Sequence, residues 1–211
     1  LLPTDRLLLS RPVSYIQASV QALDDTRHTV SITLKVSSQL CLNEGDLCPV
    51  IRETVAMDTG LTAIRMGGIE QPVLGKSGDG ICIDWGYVYL CASREAKAGE
   101  CRASGLKAIF IQDDLDTAVR PETLFLLGYD DQYSITYFGE ALMAYWKKEG
   151  QTIEQALSAA YAEYTVVLER CQAFDADMTA KATAAGGEKY AHLLQLALRQ
   201  VLAAHKLVVD T

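Results

Sequence analysis

Three groups of residues carry side chains with chemical capability. The first lies in QPVLGKSGDGICIDWGYVYL, residues 71–90, where Lys76, Ser77 and Asp79 sit in a glycine-broken loop. A lysine beside a serine is one way to activate a hydroxyl nucleophile. A glycine-rich turn between strands accounts for the same residues without catalysis. Asp84 follows, then Trp85, Tyr87 and Tyr89 at strand periodicity, which places the three rings on one face. Such a face either stacks a ligand or is covered as core or interface. The second group is GYDDQYSITYFG, residues 128–139, where Asp130 and Asp131 are flanked by Tyr129, Tyr133 and Tyr137. Paired carboxylates can do acid–base work or hold a metal. Adjacent acids on a strand point apart, however, and at a strand-to-helix junction aspartate caps helices and completes turns. The third is Arg199 and His205, six positions apart and so about 240° apart around a helix. They do not share a face. His205 falls on the apolar side, as a core histidine does, and Arg199 is placed to pair with an acid from an absent neighbouring helix; the alternative is that both line a site assembled with the rest of the chain. GxSxG, P-loop, HExxH and strand–helix GxGxxG signatures are all missing.

These groups need elements to position them. Before residue 133 the pattern is strand. Residues 28–37 alternate, with Val30, Ile32, Leu34 and Val36 on one face and Thr29, Ser31, Thr33, Lys35 and Ser37 on the other. Residues 13–23 also read as a strand, and Asp24-Asp25-Thr26 between the two predicts a hairpin. Further strands are expected at 50–57, 61–66, 81–91, 107–112 and 123–127, with Asp58-Thr59-Gly60 as a short turn. Seven short strands with polar turns imply a sandwich. After Ser134 the pattern turns helical. A first helix is expected over 135–149, ended by Gly150. Thr152 followed by Gln155 is a capping-box pattern that opens a second, running to about Ala185, or about 50 Å. The expected layout is α+β: a β-sandwich over 1–132 and a helical segment over 133–211.

Gly186-Gly187 then ends one helix and opens another. In the new helix Tyr190, Leu193, Leu194, Ala197, Leu198, Val201, Leu202 and Val208 recur at helical spacing. Leu196, Ala203 and Leu207 widen the apolar arc, leaving a narrow polar arc through His192, Gln195, Arg199 and Lys206. A helix of this kind is normally covered on more than one side. The expectation is a fragment of a larger protein, with the rest of its own chain as partner, or self-association through the exposed helix.

The 211 residues carry a net charge of −8 and no basic patch, which argues against nucleic acid as a partner. No apolar run approaches the roughly 20 residues needed to span a bilayer. There is no CxxC and no paired histidine, so neither a zinc site nor any cofactor is expected. Six cysteines are present. Cys41 and Cys48 bracket one polar stretch, and Cys91 and Cys101 another. Either pair could close a loop as a disulfide in an oxidising compartment, or the thiols could be buried as small apolar groups.

The runs LSRPVSYIQASVQALDD, QPVLGKSGDGICIDWGYVYL, GYDDQYSITYFG and AGGEKYAHLLQLALRQVLAAHKLV resemble the glutaminase A family, in the same order and through nearly the whole chain. The resemblance implies an N-terminal β-rich domain followed by an (α/α) toroid of six helical hairpins, of which this chain holds the opening helices. It implies an exported protein, secreted, periplasmic or at the cell surface, that hydrolyses L-glutamine to L-glutamate and ammonia. No catalytic motif of the family falls on this sequence. The segment between Cys91 and Leu124 is short for the family, which implies a trimmed loop. The expectation is an N-terminal piece of a glutaminase-like hydrolase, itself inactive. The rivals are a piece of a carbohydrate-active enzyme, with Trp85 and Tyr87 stacking sugar, and a non-catalytic binding module with an exposed aromatic groove.

Overall fold

A computed structural model of the chain describes residues 2–43, 48–76, 78, 80 and 82–209. The chain divides into two compact units that interleave in sequence. One comprises Pro12–Tyr133 and Thr152–Tyr161. The other comprises the segment up to Arg11, Ser134–Gln151 and the chain from Ala162 onward.

The first unit is the sandwich. Its larger sheet contains β1 (Val13–Ser19), β3 (Val50–Val55), β4 (Thr62–Gly68), β5 (Tyr87–Ala92) and β8 (Glu122–Asp130), in the order β1-β8-β5-β4-β3. Its smaller sheet contains β2 (Thr29–Ser37), β6 (Lys97–Ala103) and β7 (Leu106–Asp116), in the order β2-β7-β6. Every pairing is antiparallel. Val36, Ile109 and Ile111 of the smaller sheet pack with Ile64, Met66, Val88, Leu90 and Phe125 of the larger in one buried cluster. The alternation expected over 28–37 is present: Val30, Ile32, Leu34 and Val36 are the more buried set.

Two expectations are corrected, and one left open in the sequence takes a definite form. Residues 13–23 and 28–37 do not form a hairpin: β1 pairs with β8 and β2 with β7, in different sheets. The polar turn connects elements but does not specify their partners, whereas a buried face does. The stretch after Cys91 is a loop only over residues 93–96, because β6 takes up the rest and pairs with β7 through Ser104-Gly105, both at positive φ. The thiols of all six cysteines are free. Cys91 lies opposite Leu126 in the larger sheet and Cys101 opposite Ala108 in the smaller, so the β6 pairing carries them apart. The Cys41 Sγ donates to the Ser38 carbonyl, and Cys48 is half-buried.

The second unit begins with α1 (Arg6–Ser10), capped by Asp5, whose Oδ1 accepts the Leu8 N–H at 3.1 Å. Residues 135–149 are not a helix. They form β9 (Ile135–Tyr137), β10 (Glu140–Leu142) and a 3-10 turn, Tyr145–Lys147, that buries Trp146. Ile135, Thr136 and Tyr137 are β-branched or aromatic. Phe138 and Gly139, at φ 47° and 88°, make the two-residue turn.

The long helix α2 (Ile153–Ala203) starts in the sandwich unit and continues in the other. Its capping box is formed: Gln155 N–H donates to Thr152 Oγ1 at 3.3 Å, and Thr152 N–H to Gln155 Oε1 at 3.0 Å. It breaks at Gly187, with φ 80° and ψ −178°. The arms double back, since Gln195 Nε2 donates to Thr179 Oγ1 at 2.7 Å. Ala182 and Ala191, either side of the break, are buried. Methyl groups there let the backbones approach near the bend. Arg170 reaches Asp5 at 2.8 Å and Arg11 reaches Glu163 at 3.1 Å, so two ion pairs hold α1 to the first arm. No helix among the described residues is long and apolar enough to cross a membrane.

Candidate functional site

Register assembles a row of polar and aromatic groups on the outer face of the larger sheet. Glu53 of β3 stands opposite Arg65 of β4, Arg65 opposite Tyr89 of β5, and Tyr87 of β5 opposite Asp130 of β8. Pleating sends residues two apart to the same side, so all five share a face. Arg65 donates from Nε and a terminal nitrogen to Glu53 Oε1, at 2.8 and 2.5 Å. It also hydrogen-bonds Tyr89. Its guanidinium carbon stands over the Tyr87 ring, 4.7 Å from the centroid. Burial disfavours the Arg65 charge, but the bonds to Tyr89 and Glu53 outweigh it and raise the pKa. Burial pushes the Tyr89 hydroxyl up to about 12, against the bond from Arg65. The Tyr89 hydroxyl is therefore kept protonated.

The opening turns of α2 lie beside the Tyr89 position of this row. A Cβ added at Gly128 would lie 3.1 Å from Leu157 Cδ2, 3.6 Å from Tyr89 Cβ and 3.8 Å from Ile153 Cδ1. Gly128 thus leaves the room that Leu157 fills beside Tyr89, which is 2% exposed.

Trp85 is not part of the Tyr87/Tyr89 alternation. Gly86, at φ 84°, intervenes, and a Cβ there would meet the Asp130 carbonyl at 2.3 Å. Trp85 is buried, donates Nε1–H to the Tyr133 carbonyl at 3.3 Å, and accepts the Tyr129 hydroxyl on its own carbonyl at 2.5 Å. Burial raises the Tyr129 pKa. Asp130 Oδ1 accepts the Gln132 N–H at 2.9 Å in a local turn, and Asp131 is buried just beyond β8. No group of three or more metal-binding side chains occurs among the described residues.

The glycine-broken loop gives a different picture from the one its residue types suggest. Ser77 and Asp79 lie outside the described residues. Lys76 Nζ is ion-paired with Asp84 Oδ2, and Asp84 Oδ1 accepts the Asn43 N–H at 2.5 Å. Burial raises the Asp84 pKa, but the bonds from Lys76 and Asn43 bring it below the ordinary value. Lys76, Asp84, Glu70 and Cys48 help line a cavity of about 310 Å³.

Arg199 and His205 stay separate. His205 is exposed, beyond the end of α2, with Nδ1 2.6 Å from the Val201 carbonyl. It is a helix-end contact and not a core histidine. Arg199 lines a cavity between the two arms.

Two features escaped sequence reasoning. Glu53 and Arg65 join the tyrosines only through pairing of distant strands. Asp113, inward-facing on β7, is fully buried and held by Arg120 at 2.6 and 3.1 Å and by the Thr123 hydroxyl at 2.6 Å. Its one signal was an acid at an apolar position of an alternating strand.

An antiparallel sandwich and a helical hairpin, with Tyr89 of the outer-face row buried beside the first helical turns, define an α+β structural module. The chain belongs to the DUF5127 family, a domain of unknown function, whose model matches residues 1–114 and 111–181. No curated protein matches the chain.

Proposed function

We propose that this module is the N-terminal portion of an exported glutaminase-like hydrolase and supplies its sandwich and the first hairpin of an (α/α) toroid. In the reaction water adds to the side-chain amide of L-glutamine, the C–N bond breaks, and L-glutamate and ammonia leave. The observation that carries the reading is the second arm of α2. Tyr190, Leu193, Leu196 and Val201 are 45–62% exposed along it. Further helical hairpins of the same protein would cover such a surface. The substrate and the export rest on the resemblance of the chain's motifs to the glutaminase A family. The chemistry is assigned to the helical part that follows, because Arg65, Tyr89, Asp84 and Lys76 are engaged with partners of their own.

The sugar-stacking rival loses its support at the named rings. Trp85 and Tyr89 are buried, and Arg65 stands over Tyr87. The burial of Trp85 and Tyr89 also weighs against an open aromatic groove at these two rings.

The test assays the complete parent protein and the 211-residue chain side by side, for ammonia and glutamate from L-glutamine and for sugar release from a glycan panel. The expected result is glutamine turnover by the parent and none by the chain. A parent inert on glutamine but active on glycans overturns the substrate. Robust turnover by the chain alone overturns the division of labour. Light scattering adds a check on the apolar arm: self-association through it should disappear in the parent.

A further inference from the structure

The cavity between the two arms of α2 measures about 390 Å³ and is lined by Phe174, Asp175, Met178, Gln195, Leu198 and Arg199. Asp175 lies twelve residues before Gly187 and Arg199 twelve after it, so the doubling-back of the helix sets them across the groove from each other. Each sits one turn further from the bend than the Thr179–Gln195 contact, on the same side of its arm. The Thr179 hydroxyl, which accepts from Gln195, donates in turn to the Asp175 carbonyl at 2.6 Å. That chain of bonds ties the two arms together beside the cavity. Asp175 and Arg199 are not paired with each other among the described residues. Phe174, Met178 and Leu198 are half-buried and supply apolar walls between the two charges.

We infer that this cavity binds a small zwitterion, a free α-amino acid with an apolar side chain. Its carboxylate meets the Arg199 guanidinium, whose fork matches a carboxylate. Its ammonium meets the Asp175 carboxylate, and its side chain lies against Phe174, Met178 and Leu198. A lone anion would satisfy Arg199 and meet repulsion from Asp175, and a lone cation the reverse. Asp175 and Arg199 are both exposed at the cavity's rim, and a ligand carrying both charges pairs with both arms at once. The inference rests on the cavity and not on the hydrolase reading, and no bond is made or broken in it.

The test titrates the 211-residue chain with L-leucine, followed by two-dimensional NMR. N-acetyl-L-leucine, which lacks the ammonium, and L-leucinamide, which lacks the carboxylate, serve as probes alongside. Saturable shifts at Phe174, Met178 and Leu198 are expected with L-leucine, and at least tenfold weaker binding with either blocked probe. Arg199→Gln should abolish the preference over L-leucinamide, and Asp175→Asn the preference over N-acetyl-L-leucine. Equal response to all three probes, or no saturable response at tens of millimolar, overturns the site. Should a variant lose helical circular dichroism, the blocked probes on the unaltered chain still decide. Because the readout is binding, it remains interpretable if the parent protein fails to hydrolyse glutamine.

Discussion

Gln195 Nε2 and Thr179 Oγ1 are 2.7 Å apart although sixteen residues separate them. An unbroken helix would hold them about 24 Å apart along its axis. The whole reversal is made at Gly187, whose φ of 80° and ψ of −178° lie in a region essentially reserved for glycine. A Cβ at Gly187 would touch nothing within 4 Å, so the constraint is in the backbone and not in packing.

Gly187→Ala is therefore expected to destabilise the hairpin by about 1–3 kcal/mol. Helical circular dichroism during urea unfolding checks this. An unchanged midpoint would mean that the bend tolerates a side chain and that the backbone argument is mistaken.

The Asp113–Arg120 pair makes a second prediction, with a definite sign. Burial pushes the Asp113 carboxyl up, yet the bonds from Arg120 and Thr123 bring it below its ordinary value of 3.8. Asp114 next to it falls to about 2, through hydrogen bonds from Ser31, Lys97 and Gln112. A carboxyl whose folded pKa is depressed adds stability above the unfolded value and loses it as pH falls through the folded one. Acid unfolding should accordingly develop from about pH 4 down to about 2. Arg120→Met leaves Asp113 buried with only hydroxyl and backbone partners. Breaking such a pair costs about 3–5 kcal/mol when both ions are buried, and the partial exposure of Arg120 reduces this to about 2–3 kcal/mol. The variant's acid midpoint should move to higher pH. A fall, or no movement, would show that Arg120 is not what holds Asp113 ionised.

Local features of this fold were legible in the sequence, and partnerships were not. The alternation of Val30, Ile32, Leu34 and Val36 marks an inward face because burial acts on each residue separately. Thr152 and Gln155 announce a helix start because their hydrogen bonds are three residues apart. That β1 pairs with β8, more than a hundred positions away, depends on how two sheets close over a common core. The same limit applied to the polar row. Tyr87 and Tyr89 share a face by period, but Arg65 reaches them only through register, and Leu157 lies beside Tyr89 from a distant helix. Residues 135–149 misled because short apolar runs fit helical spacing while Phe138-Gly139 hides a turn.

The cysteines give a prediction that needs no variant. Burial pushes the thiols of Cys41 and Cys91 up to about 12. Cys82 is exposed. With a thiolate-specific reagent at pH 8, mass spectrometry should find Cys82 labelled first, and Cys41 and Cys91 protected until the chain unfolds. Recovery of a Cys41–Cys48 or Cys91–Cys101 bridge from protein made under oxidising conditions would contradict the free-thiol arrangement.

Phe138 occupies a place where the turn and the side chain are in conflict. Tyr137 pairs with Glu140, so Phe138 and Gly139 form the whole loop, both with positive φ. That geometry favours Asn-Gly, since left-handed backbone costs a bulky residue about 1–2 kcal/mol. The ring recovers little, being 92% exposed, with one edge contact to Tyr137 at 4.5 Å. An aromatic pair contributes about 0.5 kcal/mol at the low end of its range, as suits an exposed site. Backbone strain wins, and Phe138→Asn should stabilise the chain by about 0.5–1 kcal/mol, read as a higher urea midpoint. A lower midpoint would show that the ring packs on something in solution, and would make the turn a contact surface.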